Sequence, residues 1–546
     1  MSEMENNTSD FVIGKNLLEN LTTGMYVDSK VIYREYIQNA CDQIDIAIKN
    51  GWISPEEAEV SIWIDNENRN ISIEDNATGV ESGNFVEKLG SIANSDKKKG
   101  ENKGFRGIGR LCGLAYCQTL VFTTSFSGEP IGSKLVFDAK LMRQMLDADE
   151  KETFDNVLKA ITKSETFKED KEKHYFKVEL LGINRENTEL LNEESVIRFL
   201  SFVAPVPYDK SKFLFYDKIY EHAKALEFTI DEYCIRVNGA PLFKQYINCL
   251  YESAGKEANS NKRKYDEIFD VVFKEFYDDN RLIAWMWYGL SKFVKVIPPA
   301  MNPMYGFRVR QGNIQIGNNS VVANLFKEDR GNKYFVGEIF TVDNKNLIPN
   351  SQRDYFNEGR IRTLLEDELK NFFWSSLHKL YHIANEEKSD LKKITSYEVA
   401  AAKHREKCKK GFVDKEEKEC SQAQLEGLKK DAEKAKKSQQ KRLDNDSLSP
   451  ETRRVLMAIN DDVKNNNEPK DRKNNEPVST SGLKEEVSDE IDEEPEVAKI
   501  KYFTDDLSKL GRDKRKLVTK IMGIVKQIAP EDIADKIQAA IVEEFR

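Results

Sequence analysis

Glu35, Asn39 and Asp42 stand at i, i+4 and i+7 in a run without Gly or Pro from Ser29 to Ile48. Ile32, Ile37, Ala40, Ile44 and Ala47 give the run a helical apolar period. That spacing puts the three polar residues on one helix face. A carboxylate and an amide one turn apart suit a divalent cation beside a phosphate. The amide oxygen can ligate the metal, and the carboxylate can orient or deprotonate a water. Taken alone, the stretch reads more readily as a solvated amphipathic face. Two later stretches shift that balance.

The first is Asp75-Asn76-Ala77-Thr78-Gly79, just past a β-branched run. A carboxylate at a strand end can accept a hydrogen bond from an exocyclic amine, and a Gly lets backbone approach a flat ligand. A plain turn is the simpler reading of this segment by itself. The second is Gly104-Phe105-Arg106-Gly107-Ile108-Gly109, a GxxGxG pattern leading into Leu111–Cys117, which is expected to be helical. Converging backbone N–H groups and a helix N-terminus favour an anion there. The order is neither GxGxxG after a first strand nor a loop ending in GKS or GKT.

The elements that position these residues follow in order. Phe11–Asn20 is a short helix or strand, and the Glu35 helix stops near Lys49-Asn50-Gly51. Val60–Asp65 and Asn70–Glu74 form a hairpin that delivers Asp75. Phe85–Ala93 precedes a Lys-rich mobile loop, Asn94–Lys103, and Thr119–Phe126 is a strand. Asp147–Lys173 reads as a charged insertion before a strand at His174–Leu180.

Composition narrows the class. The chain has 546 residues, 39% hydrophobic and 33% charged, with net charge −10. That length suits several domains, and the acidic balance argues against a chain-wide polyanion-binding surface. Seven scattered Cys without a CxxC argue against a disulfide framework or zinc site and fit a reducing cytosol. His378 and His382 lack an acidic metal-site pattern and read as surface or packing residues. The N-terminus has no basic or apolar targeting pattern, and no 18-residue apolar run occurs, so a cytoplasmic protein without membrane spans is expected.

Together the three motifs resemble the GHKL ATPases, named for gyrase, heat-shock chaperone, histidine kinase and MutL. Glu35, Asn39 and Asp42 resemble their N box. Asp75–Gly79 resembles DxGxG with Ala77 replacing a Gly, and Gly104–Gly109 resembles the lid motif. Within the superfamily, Arg34-Glu35, Leu89–Ala93 and Val121–Thr124 most resemble the heat-shock protein 90 chaperones. The resemblance implies ATP and Mg²⁺ as ligands. It implies Glu35 as general base supported by Arg34, Asn39 on Mg²⁺, and Asp75 on the adenine amine. Asp42, Asn76 and Gly79 would complete the nucleotide site, with Gly104, Phe105, Arg106, Gly107, Ile108 and Gly109 around the phosphates. No Gly-Thr pair precedes His174–Leu180, which leaves a second adenine contact unassigned.

Farther on, Phe228–Phe243 reads as two strands about Asn238-Gly239, and Lys256–Lys264 as a charged loop. Leu282–Tyr288, Gly306–Ile316 and Phe335–Val342 are further strands, followed by a helix over Asn357–Tyr381. Gly306–Asp354 resembles the middle domain of the same chaperone branch. Its loop NLIPNSQRD carries Asn350, Ser351 and Arg353, with Asp354 for the usual Glu. The resemblance implies that Arg353 reaches a γ-phosphate held by the first domain.

The expected organisation is α+β. A leader at 1–10 precedes an ATP-binding α/β sandwich at 11–189 and an α/β middle domain at 190–384. A charged helix or coiled coil follows at 385–445, with Gly411 interrupting it. A disordered acidic linker fills 446–499, with a short helix at Pro450–Ile459, and a helical module at 500–546 is cut by Pro530. That module's Leu507, Leu510, Leu517, Ile521, Ile524, Ile528, Ile533, Ile537 and Ile541 need a partner. An ATP-driven clamp acting on protein clients, at least transiently a homodimer, is the function expected. A MutL- or Microrchidia-like clamp on nucleic acid is the alternative, with Lys97–Lys103 and Lys407–Lys410 as its basic runs. A third possibility is an ATP-binding scaffold that does not hydrolyse, against which Glu35 argues.

Overall fold

The structure is a computed structural model that describes residues 13–22, 28–90, 103, 109–254, 262–412, 415–467, 503, 506, 507 and 509–545. The expected leader, residues 94–102 and 104–108 of the Lys- and Gly-rich stretch, and residues 468–499 of the linker lie outside these. The chain forms two compact units, residues 1–381 and 382–546, and is α+β throughout the first.

The first unit begins with helices α1 (Asn16–Thr22) and α2 (Val31–Lys49). Gly51, at φ +72, ends α2: its N–H reaches Ile48 O at 3.0 Å, and Trp52 N–H reaches Ala47 O at 2.9 Å. That reciprocal pair satisfies the last carbonyls of the helix. Strands β1 (Glu59–Asp65) and β2 (Asn70–Asp75) form the expected hairpin, their buried positions alternating as a one-sided sheet requires. Helix α3 (Phe85–Gly90) follows, then β3 (Thr119–Ser125) and β4 (Ile131–Asp138).

The expected insertion is ordered structure. Helix α4 (Ala139–Asp147) is capped by Asp138 and α5 (Phe154–Ile161) by Thr153. Strand β5 (Thr162–Lys168) then pairs along β4 as the sheet edge. Its charges face solvent, so a charged string here is an edge strand, guarded against further pairing by those charges. Strand β6 (Tyr175–Leu181) inserts between β3 and β2.

Helix α6 (Glu193–Val203), capped by Asn192, precedes α7 (Tyr216–Ala225), β7 (Cys234–Val237) and the short β8 (Ala240–Pro241). The first sheet has eight strands in the order β5-β4-β3-β6-β2-β1-β7-β8, and β7 runs parallel to β1. Its core packs Ile37, Cys41 and Ile44 of α2 against Ile62, Ile73, Phe122 and Leu180 of the strands. Val196, Leu200, Ile235 and Val237 are buried in the same core, so packing continues past Glu189, where the sequence suggests a break.

The rest of the unit holds β9 (Cys249–Ser253) paired with β10 (Lys262–Glu267), which places part of the expected charged loop in a strand. Strands β11 (Asp270–Asp278), β12 (Arg281–Leu290), β13 (Gly306–Gln311), β14 (Ile314–Ile316) and β15 (Val336–Thr341) form a second sheet, ordered β11-β12-β15-β13-β14. β15 is buried on both faces, yet carries Glu338. Arg310 donates to Glu338 at 2.6 Å, Lys244 at 3.0 Å and Tyr246 at 3.1 Å, and Tyr208 donates as well. Burial alone would raise the Glu338 pKa, but Arg310 and Lys244 pull it down to about 2. Helix α8 (Arg360–Phe372) passes through one π-helical turn into α9 (His378–Lys410).

In the second unit α9 turns at Gly411 into α10 (Lys415–Leu443). The two run antiparallel. Arg442 of α10 pairs with Glu387 and Asp390, and Lys407 with Glu417 at the other end. The apolar seam is thin, Ile394 and Tyr397 against Ala432 and Ala435, so ion pairs do much of the joining. Helix α11 (Pro450–Asn467) is longer than the short helix expected, and Asn460 bonds Glu387 at 3.0 Å. Helices α12 (Arg512–Ile528) and α13 (Glu531–Phe545) meet at Pro530, and Met522 is buried with Leu507 and Phe503. Among the described residues no helix is long and apolar enough to cross a membrane, and all seven cysteines are free.

Candidate functional site

Glu35 and Arg34 are buried in the first half of α2. Arg34 Nη2 donates to Glu35 Oε1 at 3.0 Å and to Gln352 O at 3.2 Å. The pair orients the carboxylate and leaves Oε2 toward Gly109. A Cβ at Gly109 would stand 2.5 Å from Oε2, so the carboxylate keeps its present place only beside a glycine. Gly109 opens a 3-10 turn, Gly109–Ala115, where the sequence suggests an apolar helix. Tyr36 of α2 explains the tighter turn. Its hydroxyl donates to Arg110 O at 3.0 Å and accepts from Gly113 N–H at 3.1 Å, and a Cβ on Gly113 would strike it.

Asn39 is half-buried on α2, one turn after Glu35. Asp42, a further turn on, is buried and accepts the backbone N–H of Lys103 at 2.7 Å. At the end of β2, Asp75 is buried and accepts Ala77 N–H at 3.1 Å. Asn76, expected to face a nucleotide, instead ties down the start of β1. It accepts Glu59 N–H at 2.9 Å and donates to Glu57 O at 2.7 Å. Gly79 has φ +66, and a Cβ there would lie 1.9 Å from Ser125 O. The backbone of this loop therefore lies directly on β3, where no side chain fits.

Where a Gly-Thr pair is missing, His174 precedes β6. Its Nδ1–H donates to Ala77 O at 2.5 Å, and Trp52 stands edge-on to its ring. Thr124 of β3 accepts Val80 N–H at 2.9 Å and donates to Tyr175 O at 2.7 Å. Both side chains hold the Asp75–Val80 loop to the sheet. Gly104, Phe105, Arg106, Gly107 and Ile108 lie outside the described residues.

Arg353 lies near these residues, its side chain reaching Lys103 O. It sits in a tight loop where Pro349 bridges Phe356 and Asn350 N–H bonds Tyr355 O at 2.9 Å. Its φ is +55, a conformation that costs a residue with a Cβ about 1–2 kcal/mol and persists only where neighbours hold it. Gly317 N–H holds it through Arg353 O at 2.8 Å. The guanidinium is buried and donates to Lys103 O. The loop thus touches Arg34 through Gln352 and Lys103 through Arg353.

Lys103, Gln38 and Asp231 were not singled out by sequence. Gln38 donates to Lys103 O at 2.6 Å, and the Lys103 ammonium pairs with Asp45 at 2.7 Å and Asp231 at 3.2 Å. Burial alone would lower the lysine pKa, but Asp231 and Asp45 hold it above the ordinary value. The sequence signal is slight: Gln38, Asp42 and Asp45 repeat the i, i+4, i+7 spacing three residues on from Glu35.

Residues 34–171 match the family described as histidine kinase-, DNA gyrase B- and HSP90-like ATPases. Chaperone protein HtpG of Coxiella burnetii is 33% identical over 87 residues, 15% of this chain and 14% of that protein. HtpG of Psychrobacter cryohalolentis is 27% identical over 132 residues, 21% of this chain and 20% of its own. HtpG of Buchnera aphidicola is 26% identical over 169 residues, 27% of each chain. The matches thus span about a quarter or less of these relatives. The match begins at the Arg34–Glu35 pair and takes in Asp75, Gly79 and Gly109. Residues 34–171 thus match the GHKL ATPase family, with weak similarity to the HtpG chaperones of the heat-shock protein 90 branch.

Proposed function

We propose that the chain is a Mg²⁺-dependent ATPase that works as a conformational clamp on protein clients. The residues present suit the nucleotide: a buried carboxylate at a strand end, Asp75, and a second buried carboxylate, Glu35, held by Arg34 with its other oxygen against Gly109. Asp75 would accept the adenine amine, and Gly79, by letting its loop lie flat on β3, would leave room for the base beside it. Asn39 would hold Mg²⁺ through its amide oxygen, and the glycine motif Gly104, Gly107 and Gly109 would hold the phosphates. Bound Mg²⁺ supplies charge neutralisation of the phosphate oxygens. Glu35, oriented by Arg34, holds a water and accepts its proton. Arg353 supplies a guanidinium to the terminal phosphate. Asp42 and Asn76 act on the scaffold, through Lys103 and β1 respectively.

The observation that carries this reading is the seating of the Arg353 loop on Arg34 and Lys103, beside the Glu35 carboxylate. The nucleic-acid alternative is weakened, because Lys103 is committed to Asp45 and Asp231 and Lys407 to Glu417. Self-association is supported by α12 and α13. Leu517, Ile521, Ile524, Ile528, Ile533 and Ile537 form an exposed apolar face. Helix α12 carries six basic side chains against one acidic, α13 five acidic against one basic. A second copy turned about a twofold axis pairs basic helix with acidic helix across that face.

The test is ATP hydrolysis with and without Mg²⁺ by wild type, Glu35→Ala and Asp75→Asn. Turnover by wild type, binding without turnover by Glu35→Ala and lost binding by Asp75→Asn are expected. Wild type that binds no nucleotide would end the reading.

A further inference from the structure

Lys103 makes more connections than its place in a Lys-rich stretch suggests. Its N–H goes to Asp42 at 2.7 Å, and its carbonyl accepts from Gln38 at 2.6 Å and from Arg353. Its ammonium lies between Asp45 of α2 and Asp231, which leads into β7. The ammonium also stands 5.1 Å from the centre of the Tyr233 ring, whose hydroxyl donates to Asp45 at 2.6 Å. Its methylenes pack 3.3 Å from where a Cβ would sit on Gly312, in the β13–β14 turn.

The chain of contacts continues inward from there. Asn313 Nδ2 donates to Asp231 O at 2.7 Å, and Arg310 Nη1 donates to Asn313 O at 3.2 Å. Arg310 is the partner of Glu338 in the middle of the second sheet. One lysine thus touches the Glu35 helix, the Arg353 loop and the turn of the second sheet, and directly precedes Gly104 in sequence. Coupling between sites runs through contiguous packed and ion-paired groups of this sort.

We propose that Lys103 is a positioning residue that fixes the Arg353 loop relative to Glu35, so that hydrolysis requires its ammonium to bridge Asp45 and Asp231. The proposal rests on the ATPase reading. No substrate contact is assigned to the lysine: its ammonium is already placed between two carboxylates. Those carboxylates are 49% and 36% exposed and can be solvated if the lysine charge is removed, so Lys103→Met is expected to fold, which its Tm checks.

The experiment compares wild type, Lys103→Met, Lys103→Arg, Asp231→Asn and the Lys103→Met/Asp231→Asn pair. Turnover, ATP affinity by calorimetry, Tm, and hydrogen exchange of nucleotide-free protein over residues 349–356 are measured for each. Lys103→Met is expected to lower kcat about tenfold or more with ATP affinity within threefold and Tm unchanged. Exchange at 349–356 should quicken while β11 and β12 stay as in wild type. Lys103→Arg should recover most of the rate, and the pair should be no worse than the deeper single variant. Turnover and exchange both at wild-type levels in Lys103→Met would overturn the proposal while leaving the ATPase reading standing. Affinity lost in step with kcat would also overturn it, by making Lys103 a nucleotide contact. If wild type binds no ATP, the ATPase reading and this role in hydrolysis fall together, and the exchange data then report only a structural tie.

Discussion

Replacing Gly109 by alanine places one carbon where the Glu35 carboxylate now lies. The new Cβ would stand 2.5 Å from Oε2, 3.3 Å from Cδ and 3.4 Å from Cγ. A carbon and an oxygen settle no closer than about 3.3 Å, so the carboxylate must retreat by about 0.8 Å. Arg34, 3.0 Å from Oε1, pulls against any rotation that would absorb the change. A displacement near 1 Å in a catalytic group costs about a hundredfold in rate, or about 2.7 kcal/mol of barrier. Affinity should be largely spared, because Asp75 and Gly79 lie on a different loop and alanine keeps the Gly109 backbone N–H assigned to the phosphates. Stability should change little. Gly109 is not in the left-handed region, and alanine there gains about 0.4–1 kcal/mol by restricting the unfolded chain. The assay is steady-state ATP turnover beside calorimetric affinity and Tm, with Glu35→Ala and the double variant as references. The double variant should match Glu35→Ala alone, since both changes act on one group. A Gly109→Ala enzyme within threefold of wild-type kcat at unchanged affinity would refute the assignment of Glu35 as the base in this arrangement.

Other outcomes follow from the same structure. Gly79→Ala must move backbone, because its Cβ would lie 1.9 Å from Ser125 O at φ +66; ATP affinity should fall more than tenfold and Tm should drop. Glu338→Gln leaves Lys244 and Arg310 buried without their counter-charge, and denaturant unfolding of the first unit should show a loss of about 3–5 kcal/mol. Because the folded carboxyl titrates at about 2, below its unfolded value, the Glu338 contribution is whole above the ordinary carboxylate range. It declines as pH falls from there and is gone below about 2; acid unfolding curves of wild type and Glu338→Gln should converge at that end. Ile521→Asp with Ile528→Asp, on positions 48% and 79% exposed, should leave helicity intact and shift sedimentation toward monomer; unchanged association would remove α12 from the interface.

Local pattern carried much of this protein. The α2 period, the β1–β2 hairpin and the strand carrying Thr124 depend on neighbours a few residues away, and all three formed as their residues dictate. The charged segment 147–173 and the short turn after Gly109 were illegible for the same reason. An edge strand is charged like a loop, and a 3-10 turn is chosen by a hydroxyl arriving from Tyr36, seventy-seven residues before Gly113.

The site divides along the same line. By itself the sequence determined which side chains with usable chemistry share a helix face or end a strand, because those relations are set by backbone period. It marked Glu35, Asn39, Asp75 and Gly79, whereas Arg353 was marked only by the resemblance of its loop to the chaperone middle domain. Tertiary structure decided what each side chain is committed to. It turned Asp42 toward the Lys103 backbone and Asn76 toward β1, and it set Arg353 beside a lysine 250 positions away. Hydrogen bonds and ion pairs between distant segments have no period in sequence. They exist only once the two sheets have been packed and the loops between them closed.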